Sequence, residues 1–279
     1  RDTDRSRGLG DVYKRQTLKE QRSMLGDQLN FAAAEAYKLL RANLTFSLPD
    51  EQKCRVVGVT SAVRGEGKST TSINLAYTLA ETGKRVLLVE ADMRRPQLAH
   101  RLAIDAAPGL SNLLAGLCRE KDVVQDVGLL ENMKVITSGD VPPNPSELLG
   151  SERMSTVVET LAQSFDFIIF DLPPVNAVSD GLVVSRFIQG MIVVVRQDYS
   201  DRQGLSAALR QLEYMHIKVL GFVMTHSSIS GGRYGRYGRY GRYGRYGQYG
   251  RYESESRETG ADQERARKTG SAKSRKSKR

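Results

Sequence analysis

The sequence predicts an α/β domain in which a mostly parallel central sheet is flanked by helices. Six short runs of aliphatic and β-branched residues alternate with longer helical patterns between residues 55 and 225. Several of these runs, such as Phe167–Phe170 and Met191–Val195, are apolar throughout rather than alternating. Strands of this kind are covered on both faces, which is typical of a parallel sheet in an α/β domain.

Each element is predicted by its local pattern. Strands are expected at Val56–Thr60, Val86–Glu90, Lys134–Thr137, Phe167–Asp171, Met191–Val195 and Val219–Met224. Helices are expected at Asp27–Phe46, Lys68–Glu81, Pro145–Gln163, Ser179–Phe187 and Arg202–Met215. Asn30 is a suitable N-cap for the first of these helices. The helix at Pro145 has a clear start signal, because Asn144 can cap it, Pro145 suits the first turn and Glu147 stands where a capping-box acid belongs.

The composition is that of a globular protein with a sizeable core. The chain has 279 residues, of which 39% are hydrophobic. Its apolar runs are far shorter than the ~20 residues that span a bilayer, so it is not expected to cross a membrane by itself. Two cysteines, Cys54 and Cys118, cannot form a disulfide framework, so a reducing cytoplasmic compartment is expected. Both cysteines are expected to be small buried residues. The three histidines are scattered, so no metal cluster is expected.

The net charge of +10 belongs to the C-terminal segment. From Gly231 onward, 15 Lys and Arg stand against 5 Asp and Glu, which leaves 27 residues of each sign in the rest of the chain. The globular part is therefore neutral, and its charge gives no sign of a nucleic-acid groove. We expect residues 1–16 to be a disordered or non-native leader, 17–230 the P-loop domain, 231–252 an Arg-Tyr-Gly repeat and 253–279 a basic disordered tail.

A phosphate-binding motif follows the first predicted strand. Residues 61–70 read Ser-Ala-Val-Arg-Gly-Glu-Gly-Lys-Ser-Thr, which fits the P-loop pattern of nucleoside triphosphatases with Ala62 in place of the first glycine. The glycines let backbone amides point at phosphate oxygens, while Lys68 reaches the β and γ phosphates and Ser69 ligates Mg²⁺. An ordinary glycine-rich turn is the weaker alternative. The residues expected to bind ATP are Arg64, Gly65, Glu66, Gly67, Lys68, Ser69 and Thr70.

Acidic residues stand at the ends of two predicted strands. Asp171 ends the run Phe-Ile-Ile-Phe, which is the Walker B arrangement for holding Mg²⁺ directly or through water. Glu90 and Asp92 end the run Val-Leu-Leu-Val, and their spacing places both side chains on one face of an extended segment. Acids at the carboxyl ends of strands stand over the ligand crevice of an open α/β sheet. The expected metal ligands are Ser69, Glu90, Asp92 and Asp171, and the expected catalytic residues are Lys68, Asp92 and Asp171.

Together these motifs resemble those of the bacterial tyrosine kinases that control capsule and exopolysaccharide synthesis. The resemblance covers roughly Glu35 to Tyr252 and includes the P-loop and Asp171-Leu-Pro-Pro. Glu90-Ala-Asp-Met-Arg94 resembles the family's second acidic motif, with Glu90 in place of Asp, and Asn144-Pro-Ser-Glu-Leu-Leu looks like a further family segment. The resemblance implies transfer of phosphate from ATP to tyrosine. In this reaction Asp92 either holds the metal or takes the phenolic proton, and Arg94 or Arg64 helps to neutralise the charge of the transferred group.

The resemblance also implies where the phosphate goes and what the chain assembles with. Seven tyrosines resemble the family's C-terminal cluster, which neighbouring subunits phosphorylate; they are Tyr234, Tyr237, Tyr240, Tyr243, Tyr246, Tyr249 and Tyr252. The segment Glu35-x-x-Lys38-x-x-Arg41 is similar to the helix by which family members pack into rings, although by spacing alone it is an ordinary solvated helix flank. A separate membrane-embedded activator at the inner face of the cell membrane and a cognate phosphotyrosine phosphatase are the other implied partners.

Two other functions remain open at this point. Partition and division-site ATPases share the fold and use hydrolysis to time dimerisation, but they usually carry an early P-loop lysine where this chain has Val63, and they lack a tyrosine-rich tail. Arg/Gly/Tyr repeats can also bind single-stranded nucleic acid through stacking and charge. Nucleic acid is not the expected partner.

Overall fold

The computed structural model describes residues 26–48 and 53–227. The predictions for the leader, the tyrosine cluster and the basic tail lie outside these residues. Among the described residues, no helix is both long and apolar enough to span a bilayer.

A seven-stranded sheet forms the centre of the domain, in the order β3-β4-β2-β5-β1-β6-β7. All neighbouring strands are parallel except β3, which pairs antiparallel with β4. The predicted α/β class with a mostly parallel sheet is thereby confirmed. The strands are β1 Arg55–Ser61, β2 Val86–Glu90, β3 Gln125–Asp126, β4 Met133–Ile136, β5 Phe167–Asp171, β6 Gly190–Arg196 and β7 Val219–Thr225.

The central strands are apolar over most of their length because both faces of the sheet are covered. In β5, Ile168 and Phe170 pack into one core cluster, while Phe167 and Ile169 pack into the other. All four side chains are nearly inaccessible to solvent. Continuous apolar runs therefore indicated two-sided burial correctly.

Nine α-helices flank the sheet among the described residues. Their bounds are α1 Phe31–Ser47, α2 Lys68–Ala80, α3 Leu98–Leu102, α4 Leu110–Leu114, α5 Glu120–Val123, α6 Pro145–Leu149, α7 Glu152–Ser164, α8 Asp180–Val184 and α9 Arg202–Tyr214. Asn30 caps α1 as predicted, since its side chain accepts the Ala33 N–H at 2.9 Å. Short 3₁₀ turns lie at Gly26–Gln28 and Ser185–Phe187.

The single helix predicted from Pro145 to Gln163 is wrong, because the chain breaks after Leu149 into α6 and α7. Ser151 restarts the helix as an N-cap and accepts the Met154 N–H at 3.2 Å. Asn144 does not cap α6 with its side chain, whose amide instead donates to the Glu147 carboxylate. The apolar pattern continued across Gly150 and Ser151, so the pattern alone did not mark the break.

The register of the sheet brings the functional motifs to one edge. Val59 of β1 and Glu90 of β2 both lie beside Asp171 of β5. The Ala91 N–H also donates to the Asp171 carbonyl at 2.9 Å. The P-loop after β1 and the acids after β2 and β5 are therefore neighbours, as expected for the carboxyl ends of parallel strands.

Candidate active site

The P-loop connects β1 to α2 through two glycines in the left-handed region. Gly65 has φ +82° and Gly67 has φ +97°, conformations that side chains other than glycine rarely adopt. Gly67 is the N-cap residue of α2, which begins at Lys68. The unpaired amides of the first helical turn thus open toward the loop, which is the geometry of an anion site.

Glu66 stabilises the conformation of the P-loop through hydrogen bonds of its buried side chain. Its side chain is buried, with one oxygen accepting the Val63 N–H at 2.8 Å and the other accepting the Ser200 hydroxyl. Its carbonyl oxygen accepts the Thr225 hydroxyl at 2.7 Å. The expectation that Glu66 binds ATP is therefore limited to its backbone amide, since its carboxylate is engaged in shaping the loop.

The last residue of β6 and the segment that follows it also hold the P-loop in place. The Tyr199 hydroxyl donates to the Arg64 carbonyl at 3.0 Å, and the Arg196 guanidinium donates to the Gly65 carbonyl at 3.1 Å. The same guanidinium lies over the Tyr199 ring, 4.9 Å from its centroid. Arg64 itself is exposed, so its side chain stands free at the tip of the loop. These contacts join residues that are more than 130 positions apart in the sequence, and no local sequence pattern indicated them.

Lys68 and Asp92 form a partly shielded ion pair across the crevice. The Lys68 Nζ lies 3.1 Å from the Asp92 Oδ2, and the two side chains are only 12% and 11% exposed. The other Asp92 oxygen accepts the Arg95 N–H at 3.3 Å. The structure thus brings together the P-loop lysine and the acid after β2, as the sequence predicted. A phosphate group on Lys68 would free the facing oxygen of Asp92.

Asp171 is fully buried at the end of β5. Its Oδ1 lies 3.1 Å from the Ser72 hydroxyl of α2, whereas its Oδ2 has no hydrogen-bond partner among the described residues. Burial raises the pKa of the Asp171 carboxyl, and the nearby Lys68 charge and the Ser69 hydroxyl offset this only in part. A buried carboxylate oxygen without a partner is destabilising, so this atom fits a cation ligand.

The donor set at this position fits Mg²⁺ better than a transition metal. No group of three or more His, Cys, Asp and Glu side chains is arranged around a common point in the described ranges. Mg²⁺ needs no such cage, because it is usually held by one or two carboxylates together with substrate phosphates and water. Asp171 and the buried Ser69 hydroxyl would hold the ion here.

Glu90 is not part of this set. One of its oxygens accepts the N–H groups of Gln97 and Leu98, and the other accepts the Ser138 N–H at 3.1 Å. Burial raises the pKa of its carboxyl, and these three backbone bonds counteract the shift. The expectation that Glu90 ligates the metal is corrected on this ground, because its oxygens tie β2 to the loops after β2 and β4.

Arg94 forms a salt bridge with an acid that the sequence did not single out. Its guanidinium donates to both oxygens of Asp180, at 2.6 and 3.2 Å, and Asp180 also accepts the Ser146 hydroxyl. The Asp180 side chain is almost completely buried, while that of Arg94 is 45% exposed. This contact joins the acidic motif after β2 to α6 and α8. The expected charge-neutralising role of Arg94 stays a prediction, and Asp180 is the partner that positions this guanidinium.

The predicted oligomer-contact residues lie on α1. Lys38 pairs with Glu35 at 2.8 Å on the exposed flank. Arg41 instead turns toward the P-loop helix and donates to the Thr78 carbonyl at 2.7 Å. Three apolar residues on α1 are strongly exposed: Phe31 at 66%, Leu39 at 63% and Phe46 at 89%.

Comparison with known proteins is consistent with these motifs. A family model described as an AAA domain matches residues 54–220. The tyrosine-protein kinase YwqD of Bacillus subtilis is 34% identical over 197 residues, which is 71% of this chain and 82% of the relative. The tyrosine-protein kinase CpsD of Streptococcus pneumoniae is 35% identical over 203 residues, covering 72% of this chain and 88% of the relative. The chain belongs to the family of bacterial tyrosine-protein kinases.

Solved structures of this family share the fold. The kinase domain of the Escherichia coli tyrosine kinase ETK has a TM-score of 0.68 and 31% identity, covering 75% of this chain and 82% of that one. The chimerical protein CapA2B2 has a TM-score of 0.67 and 32% identity, covering 71% and 86%. The septum site-determining protein MinD from Pyrococcus horikoshii is 24% identical with a TM-score of 0.52, so its likeness is one of fold alone.

Proposed function

We propose that this tyrosine kinase transfers the γ-phosphoryl group of Mg·ATP to the tyrosines of its own C-terminal cluster. The observation that carries the proposal is the convergence of Lys68, Asp92 and Asp171 on one glycine-bounded cradle. A buried oxygen of Asp171 there has no hydrogen-bond partner in the described part of the chain. Seven tyrosines at a spacing of three residues supply the acceptor hydroxyls, beginning at Tyr234.

The cradle residues position the nucleotide and stabilise the charge that develops. The P-loop amides and Lys68 hold the phosphates, and Asp171 and Ser69 hold Mg²⁺, which neutralises charge on the β and γ phosphates. When Lys68 turns from Asp92 to the phosphates, the freed Asp92 oxygen accepts the phenolic proton. A bond then forms from the tyrosine oxygen to the γ-phosphorus, the bond to the β–γ bridging oxygen breaks, and ADP leaves.

The tail is the part of the chain whose charge this reaction changes most. Each phosphotyrosine adds about −1.5 to −2 charges, so seven of them add roughly −10 to −14. The segment from Gly231 onward carries +10 before modification. Complete phosphorylation would therefore cancel or reverse its charge.

The partners proposed for this protein follow from its family. We place it in capsular or exopolysaccharide synthesis, in a ring of like subunits, at the inner face of the cell membrane through a separate membrane-embedded activator. A cognate phosphatase would reset the tail. The exposed Phe31, Leu39 and Phe46, on the same helix as Glu35 and Lys38, support a subunit contact through α1.

Replacement of the P-loop lysine tests the proposed activity. Lys68→Met should abolish phosphotyrosine formation with Mg·ATP while leaving the melting temperature within a few degrees of wild type, because the Lys68 ammonium forms a single ion pair within the described ranges, with Asp92. Mass spectrometry should map the wild-type product to residues 234–252. Lys84→Met, at an exposed lysine, is the matched control and should retain full activity. A normal phosphotyrosine signal in Lys68→Met would refute the assignment.

A further inference from the structure

The guanidinium of Arg101 lies against the P-loop helix and is left with an unused donor. Arg101 belongs to α3, and its Nη1 donates to the Thr70 hydroxyl in the first turn of α2 at 3.1 Å. Its Nε is buried and has no hydrogen-bond partner within residues 26–48 and 53–227. A buried donor without an acceptor costs free energy, and an acceptor brought by a ligand would recover that cost.

The charge of Arg101 is also unbalanced within the described part of the chain. Ion pairs there engage Arg41, Arg85, Arg94 and Arg119, but none of them includes Arg101. Its hydrogen-bonding acceptor, Thr70, is neutral. Because arginine stays protonated at any ordinary pH, a permanent positive charge lies next to the start of α2. The missing partner is therefore an anion.

The side of α2 on which Arg101 lies indicates which anion it would bind. Lys68 and Ser72 face Asp92 and Asp171 on the sheet side of α2. Thr70 follows Lys68 by two residues, which is about 200° around an α-helix, so it lies on the opposite side. Arg101 thus approaches α2 from the side away from Asp92 and Asp171, where the γ-phosphoryl group would be transferred to tyrosine.

We propose that Arg101 binds the non-transferred phosphates of the nucleotide, beside Thr70. This inference deepens the proposed function and rests on the nucleotide site described there. P-loop amides cradle the α and β phosphates, whereas the lysine reaches β and γ, which matches the separation of Arg101 from Lys68. The planar guanidinium suits phosphate oxygens because it offers several N–H donors in a fixed fork.

Binding of ADP tests the proposal without catalysis. In Arg101→Met, the affinities for ADP and for a non-hydrolysable ATP analogue should both fall by about 10- to 100-fold, the loss expected for one charge-assisted hydrogen bond. The melting temperature of the nucleotide-free variant should stay unchanged or rise, because the unpaired buried donor is gone. Arg101→Lys, which keeps the charge but not the fork, should lie between wild type and Arg101→Met.

The matched control is Arg153→Met, at an arginine that donates to the Leu113 carbonyl at 2.8 Å, away from the P-loop. It should bind both nucleotides as wild type does. Unchanged ADP affinity in Arg101→Met, with or without a lower melting temperature, would overturn the inference, as would a loss confined to the triphosphate analogue. Failure of the wild-type protein to bind either nucleotide would instead overturn the proposed function itself.

Discussion

The carboxylate of Asp171 lies at the end of β5, with one oxygen near the Ser72 hydroxyl and the other without a hydrogen-bond partner among the residues that the structure describes. Burial raises the pKa of this carboxyl, which means that the metal-free fold disfavours its charge. A cation bound next to this carboxylate would reduce the free-energy cost of burying its charge. We therefore expect the proposed Mg²⁺ ion to offset this cost, so that metal binding stabilises the fold.

Substitution of Asp171 by asparagine should separate these two effects. The metal-free Asp171→Asn variant should be at least as stable as wild type at neutral pH, by up to about 2 kcal/mol, because a poorly compensated buried charge is removed. The stabilisation that Mg²⁺ adds to ADP binding should be lost. Thermal melting with and without Mg²⁺ and ADP measures both quantities.

Asp126→Asn is the control for this prediction, since that carboxylate is 75% exposed on the short strand β3. Its melting temperature should respond to Mg²⁺ and ADP as wild type does. A metal-free Asp171→Asn protein clearly less stable than wild type would show that the carboxylate is stabilising in itself, and the argument from its unpaired oxygen would be wrong.

The sequence predicted individual residues of the candidate site where a short local motif marks them. Lys68 and Asp171 follow directly from a glycine-rich motif and from an apolar strand that ends in an acid. Glu90 has the same kind of signal as Asp92, yet its oxygens bind backbone amides at residues 97, 98 and 138. Spacing places a side chain on a face, but it does not reveal which loop packs against that side chain. For the same reason Asp180 and Arg101 carried no signal.

At the scale of elements, the strands were predicted closely and the short helices were not. The six expected strands match to within one residue at each end, because two-sided burial imposes an unbroken apolar run. Strand β3 has only two residues and no apolar pattern. Helices α3, α4 and α5 have four or five residues each, too few to show a helical period.

A polar clamp joins the starts of the central strands at the edge opposite the active site. Asp166, just before β5, accepts the backbone N–H of Arg85 at 2.8 Å and the guanidinium of the same residue at 2.8 Å. The Arg55 N–H of β1 donates to the Asp166 carbonyl at 3.0 Å. The clamp thus holds β1, β2 and β5 in the register that aligns their carboxyl ends.

The clamp should make a pH-dependent contribution to stability. Hydrogen bonding by Arg85 lowers the pKa of Asp166 in the folded state. Its contribution is therefore present above the unfolded pKa of about 3.9 and is lost as the pH falls through the folded value. Asp166→Asn should reduce the free energy of unfolding by about 1 kcal/mol at pH 7, and the difference should shrink toward pH 3. Urea unfolding at several pH values measures it, and a difference independent of pH would contradict the role of the charge.

At the scale of the whole molecule, the net charge is divided unevenly between two segments of the chain. Residues 1–230 carry 27 charges of each sign, and the remainder carries the entire excess of +10. The described domain supplies a nucleotide cradle, and the segment beyond it supplies tyrosines. Composition located the excess charge in the segment that carries the seven tyrosines. The family resemblance, not composition, implied that neighbouring subunits phosphorylate these tyrosines, and this stays a prediction.

A mixture of two full-length variants decides between transfer within and between subunits. One variant carries Lys68→Met and retains the seven tyrosines, so it can only receive phosphate. The other has an intact cradle with the seven tyrosines of residues 234–252 changed to phenylalanine, so it can only donate. We expect phosphotyrosine on the Lys68→Met chain in the mixture, at a rate that rises with donor concentration, and none in either variant alone. If the wild-type protein forms phosphotyrosine but the mixture of the two variants does not, each subunit phosphorylates its own tail.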